Sequence, residues 1–124
     1  MHISVASLRQ YPSWAEATGA IWVPGASFHP ELGTARVSLD RDSLPGAPDD
    51  FDVVDERYCR LQFIGDRTVV ARHEGEHGPE PTAWLRNTGP ARIAVDVLGH
   101  DERSYDSPGH RALLLAVATW ASRR

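Results

Sequence analysis

The stretch from Thr82 to Leu98, TAWLRNTGPARIAVDVL, decides the fold. Its arms, Thr82 to Arg86 and Arg92 to Leu98, flank Asn87-Thr88-Gly89-Pro90, a run of turn formers, so the segment reads as a β-hairpin. In the second arm Ile93, Val95 and Val97 point one way, and Arg92, Ala94 and Asp96 the other. Strict period-two alternation pairs a buried face with a wet one, the pattern of an antiparallel sheet.

Upstream, Tyr58 to Ile64 and Thr68 to His73 are rich in β-branched and aromatic residues around Gly65-Asp66, which predicts another hairpin with a tight turn. There Cys59, Leu61 and Phe63 would share one face, and Tyr58, Arg60 and Gln62 the other. Asp40 to Asp50, with Pro45, Gly46 and Pro48, reads as a loop. Thr34 to Leu39 alternates as a strand, and Ala20 to Val23 is a short apolar strand stopped by Pro24-Gly25. Tyr11 to Ala17 suits one helical turn ended by Gly19, and His2 to Leu8 can serve as a first strand.

Downstream, Ser107 can cap a helix, Pro108 suits its first position, and the body runs from His110 to Ser122. Leu113, Val117 and Trp120 recur at i, i+4 and i+7 and form an apolar stripe that should lie across the apolar face of the sheet. Strands first and one helix last give an α+β fold: a mostly antiparallel sheet of about six strands, with two hairpins, against one C-terminal α-helix. At 124 residues, the expectation is a single domain over 1–124.

Composition narrows the function classes. A hydrophobic share of 41% and a charged share of 24% are ordinary for a globular chain, and no apolar run approaches the roughly 20 residues of a membrane span. No secretory signal opens the sequence, and the single cysteine, Cys59, permits no internal disulfide, so a cytoplasmic setting is expected. The net charge is −4, and the 13 basic residues are all arginine with no clustered run. Nucleic-acid binding, which begins with a basic footprint, is disfavoured.

Two groups of residues invite chemistry. Asp49, Asp50, Asp52, Asp55 and Glu56 form an acidic cluster, which fits either a solvated loop or a docking surface for a basic protein partner. His73-Glu74-Gly75-Glu76-His77 resembles the HExxH signature of zinc metallopeptidases, in which two histidines on one helix face bind zinc and the glutamate activates a water. That resemblance would imply Glu74 as general base and His73, His77 and a third ligand such as His100 around zinc. The local sequence opposes it: Gly75 weakens a helix, and Gly78-Pro79 and Pro81 end one within a residue or two of His77. The competing expectation is that His73 ends a strand and Glu74 to Pro81 is a solvated loop. His100 and His110 with neighbouring carboxylates could suggest acid–base work, but no serine or cysteine nucleophile falls in a recognisable motif.

The leading expectation is therefore a small non-enzymatic protein-binding module, neutralising (immunity- or antitoxin-like) or adaptor in type, without a cofactor. It would act through the acidic residues or the strand face of Tyr58, Arg60 and Gln62. The alternatives are a small zinc-dependent hydrolase at 73–77 and a small-molecule binder with a pocket between sheet and helix.

Overall fold

The computed structural model describes residues 11–123. Its fold is α+β: a curled antiparallel sheet of five strands, a second sheet of two strands, and a C-terminal helix. The elements are α1 (Pro12–Thr18), β1 (Ala20–Ile21), β2 (Gly33–Leu39), β3 (Phe51–Asp55), β4 (Gln62–Phe63), β5 (Thr68–Gly75), β6 (Gly78–Thr88), β7 (Ala91–Asp96), α2 (Glu102–Asp106) and α3 (Pro108–Ser122). The main sheet runs in the order β3-β2-β5-β6-β7, so β3 and β7 are its two edges. The expected strand at His2 to Leu8 lies outside the described residues. Among the described residues no helix is long and apolar enough to cross a membrane.

Local signals placed several elements correctly. Pro12 opens α1, and Gly19 closes it in the left-handed region at φ 72°, with its N–H on the Ala15 carbonyl. Ser107 caps α3, its Oγ accepting from the His110 N–H, and Pro108 takes the first turn. The hairpin at Asn87–Pro90 forms as β6–β7, with Arg86 opposite Ile93 and Thr88 opposite Ala91.

The other expected hairpin does not form. Tyr58 to Ile64 is not a continuous strand, because Arg60 sits at φ 53° and breaks the alternation. Tyr58, Cys59 and Leu61 are all buried, so Tyr58, Arg60 and Gln62 present no common exposed face. The short piece that remains, β4, pairs with β1 instead, Ala20 facing Phe63 and Ile21 facing Gln62. Strand β5 pairs with β2 and β6. The sequence around Asp52 and Asp55, expected to be surface acid, contains the edge strand β3, in which Phe51, Val53 and Asp55 face inward.

Both faces of the main sheet are covered, so the hairpin has no wet face. On one side α3 brings Leu113, Ala116 and Val117 against Val37, Phe51, Val53, Ala83, Leu85 and Leu98. On the other, Trp84, Val95 and Val97 pack with Ala20, Tyr58 and Leu61 beneath the small sheet. The helix thus lies on the face bearing Arg92, Ala94 and Asp96, opposite to the apolar stripe of β7. Four consecutive buried residues in β6, Thr82 to Leu85, record this two-sided burial. The small layer is held by directed bonds as well. The Trp84 indole N–H donates to the Thr18 carbonyl at 2.7 Å, and the Arg86 guanidinium reaches the carbonyls of Glu16 and Ile64.

Candidate functional site

A chain of buried polar groups joins the two sheet edges under α2 and α3. Asp55, at the end of β3, is 0% exposed. Its carboxylate accepts from the backbone N–H groups of Gly99 (2.7 Å), His100 (3.1 Å) and Glu56 (2.8 Å), and from the Ser104 hydroxyl. His110, on the first turn of α3 and also 0% exposed, reaches Ser104 with Nδ1 at 2.9 Å from Oγ and 3.0 Å from the carbonyl. Its Nε2 meets Asp96 Oδ2, at the end of β7, at 2.9 Å.

The order Ser104–His110–Asp96 superficially matches a nucleophile, base and orienting acid, and proton bookkeeping decides against that role. Ser104 spends its one hydroxyl proton on Asp55, so the Nδ1 that faces Oγ must be a donor. Nε2 faces a carboxylate and must be a donor too. A ring donating at both nitrogens is an imidazolium and has no lone pair with which to activate a hydroxyl. Burial, the largest single influence on this ring, disfavours its charge. The hydrogen bond and charge of Asp96, the Ser104 carbonyl and the charge of Asp55 together outweigh it, and the His110 pKa is raised. With Ser104 at 0% exposure, no substrate reaches the hydroxyl. The chain is a staple between β3 and β7.

The acidic residues at 49–56 do not form one surface. Asp49 pairs with Arg41 at 2.9 Å, Asp50 accepts from the Leu39 N–H at 2.9 Å, and Asp52 pairs with Arg36 across the β2–β3 ladder at 3.3 Å. These three are exposed, whereas Asp55 belongs to the interior staple. Glu56 turns the other way: its Oε2 accepts from the Tyr58 hydroxyl at 2.8 Å and lies 3.0 Å from His100 Nδ1, with His29 3.8 Å from Oε1. Burial, and then the bond to Glu56, push the Tyr58 hydroxyl well above its usual range.

The HExxH residues lie on a hairpin and not on a helix. His73 and Glu74 belong to β5 and pair with Glu80 and Pro79 of β6, while Gly75 faces Gly78 across the two-residue turn Glu76-His77. Apart from the turn at Glu76-His77, the expected loop from Glu74 to Pro81 is therefore paired strand. Position 75 must be glycine, since a Cβ there would stand 2.7 Å from Glu80 Cγ and 2.8 Å from the Gly78 carbonyl. Adjacent strand residues point to opposite faces, and His73 accordingly goes inward, 1% exposed, with Nε2 2.9 Å from the Tyr58 carbonyl. His77 is exposed at the tip beside Glu76, and His100 lies in the loop after β7 against Glu56. Among the described residues no group of three or more His, Cys, Asp or Glu is placed to hold a metal ion. Cys59 lies by a shallow pocket of about 440 Å³ with Phe28, Arg57 and Glu74, and burial pushes its thiol up, away from the reactive thiolate.

A second concavity is a groove of about 520 Å³ between the edge strand β7 and helix α3. Ile93, Ala94 and Leu98 form one wall, and Leu114, Ala118 and Ala121 the other. Tyr105, stacked on the His110 ring at 5.2 Å, stands at one end, and Arg92, lying over the Trp120 ring at 4.1 Å, at the other. It is open to solvent. Among the described residues no strand pairs with β7 on its outer side. Sequence patterning offered a pocket between sheet and helix only as an alternative and named no lining residues: Leu114, Ala118 and Ala121 read as part of one broad apolar stripe with Leu113, Val117 and Trp120, and Ala94 sits on the face that looked polar. Comparison with family models, with curated proteins and with solved structures found no match.

Proposed function

We propose that this domain is a protein-binding module whose recognition surface is the groove between β7 and α3, and that it captures an extended segment as an added strand. The observation that carries this reading is an edge strand whose outward amides and carbonyls meet no strand among the described residues, directly beside an apolar helix wall. Main-chain hydrogen bonds to β7 would supply affinity, and the groove would sort alternate side chains. Openness favours an extended polypeptide over a small molecule, which ordinarily needs a cavity enclosing most of its surface. A hydrolase gains no support from the staple, whose serine is sealed and whose histidine is charged. The paired state of Asp49 and Asp52 supports only a steering role for the acidic side of the molecule.

A display library of random extended peptides provides the test. Recovered binders are expected to carry apolar residues at alternate positions and to lose binding when Ala94, whose N–H points outward, becomes proline. Recovery of no binders, or binders indifferent to Ala94→Pro, would refute the reading.

A further inference from the structure

The pocket beside Cys59 holds opposite charges that do not meet. Part of its lining comes from two extended segments joined by an antiparallel bridge. The Phe28 N–H donates to the Cys59 carbonyl at 3.1 Å, and the Cys59 N–H to the Phe28 carbonyl at 2.8 Å. Side chains of extended segments alternate, so His29 and Tyr58 fall on one face, their rings 5.6 Å apart. Phe28, Pro30, Arg57 and Cys59 fall on the other and line the pocket. Cys59 serves as wall only, its buried thiol donating to the Arg57 carbonyl at 3.4 Å. The rest of the lining is the end of the β5–β6 hairpin, Glu74 to Glu76, where Gly75 brings backbone alone.

Arg57 is partly buried, and its Nε is enclosed without a hydrogen-bond partner. Among the described residues its guanidinium forms no hydrogen bond and no ion pair, even with the glutamates of the same pocket. The Glu74 carboxylate has no such partner among them either, and Glu76 meets His77 at 3.9 Å. A buried donor without a partner is costly, and an acceptor from outside the chain would remove that cost. A guanidinium and carboxylates that share a pocket beyond ion-pair reach of one another suit a ligand carrying both complementary charges.

We infer that this pocket binds a free amino acid with an apolar side chain. Its carboxylate lies on the Arg57 guanidinium, its ammonium on Glu74 and Glu76, and its side chain against Phe28 and Pro30. The guanidinium fork matches a carboxylate with two parallel hydrogen bonds, whereas an ammonium is a compact charge that carboxylates accept in several geometries. The volume of about 440 Å³ falls in the range of roughly 300–1,000 Å³ usual for small-ligand sites. The pocket is also more enclosed than the groove between β7 and α3. The two sites share no lining residue, so this occupancy is independent of strand capture.

Nuclear magnetic resonance titration of the full, isotope-labelled chain with leucine, methionine and phenylalanine tests the assignment. The amides of Arg57, Cys59, Gly75 and Glu76 are expected to shift saturably with at least one of the three. Analogues of that amino acid lacking the ammonium or lacking the carboxylate (isocaproate and isoamylamine for leucine) should each bind about tenfold more weakly. Arg57→Gln should raise the Kd of the amino acid by about tenfold or more and leave the amine analogue little changed. Glu74→Gln, at an exposed position, should weaken the amino acid and spare the acid analogue. If Arg57→Gln does not fold, Glu74→Gln with unchanged circular dichroism decides alone. No saturable shift with any of the three overturns the inference. So does an acid or amine analogue that binds as well as the amino acid, which would leave a site for one charge only.

Discussion

The two edges of the main sheet are treated in opposite ways. At β3 the edge is closed. The Asp52 carbonyl accepts the Ser107 hydroxyl at 2.7 Å, Asp55 gathers the loop after β7, and α2 lies over the strand end. At β7 the helices α1 and α3 lie against the strand, but among the described residues no strand pairs with its outer side, and an apolar wall stands beside it. A sheet with exposed edges invites pairing with another chain, and natural proteins blunt the edges they do not use. One edge tied down by several polar contacts and the other without a strand partner among the described residues is the contrast on which the functional proposal stands.

The contrast can be broken most severely at Asp55. Asp55→Ala strips the acceptor from three backbone amides and a buried hydroxyl, and urea denaturation should show a loss of about 4 kcal/mol. A loss under about 1 kcal/mol would mean that the β3 edge is closed by packing alone.

His110, which ties the closed edge to the open one, gives the next largest effect and a pH signature. Its folded-state pKa is raised, so its contribution is complete below the unfolded value of about 6.5 and is lost as the pH climbs through the folded value. In mildly acidic buffer His110→Gln should be about 3 kcal/mol less stable than the native chain. The gap should narrow on the alkaline side; a gap that widened there would contradict the imidazolium assignment.

Ser107 sharpens the comparison with a smaller change. Its hydroxyl both caps α3 and covers the Asp52 carbonyl, so Ser107→Ala should cost about 1 kcal/mol by thermal or urea unfolding, with Ser107→Thr retaining most of it. Equal stability of Ser107→Ala and the native chain would show that water closes this edge as well as the serine does.

Local chemistry was legible in the sequence wherever one residue type dictates a backbone state. Gly19 stops α1, Ser107-Pro108 starts α3, and Asn87 to Pro90 turns β6 into β7. What failed depended on long-range context. Phe51, Val53 and Asp55 alternate as a strand, but the adjacent acids read as loop, and nothing local shows that an aspartate will be buried by loop amides and a serine 49 residues away. Tyr58 to Ile64 has the composition of a strand, yet its end pairs with β1 because Arg60 turns the chain. Of the candidate site, His110 carried a visible hint. Ser104 and Asp96 carried none, since their roles arise only when α2 is laid against β3 and α3. The groove itself is a property of how α3 is rotated over the sheet edge, which an apolar stripe leaves open by tens of degrees.

The seating of Trp84 has a practical consequence. Its ring is 0% exposed, meets Phe63 edge-on at 5.3 Å, and donates its N–H to the carbonyl of Thr18. Segments from three distant parts of the sequence therefore converge on a single chromophore. In a variant whose Trp14, Trp22 and Trp120 are replaced by phenylalanine, its emission is an optical gauge of whether the small layer is docked, read separately from the backbone signal of the main sheet.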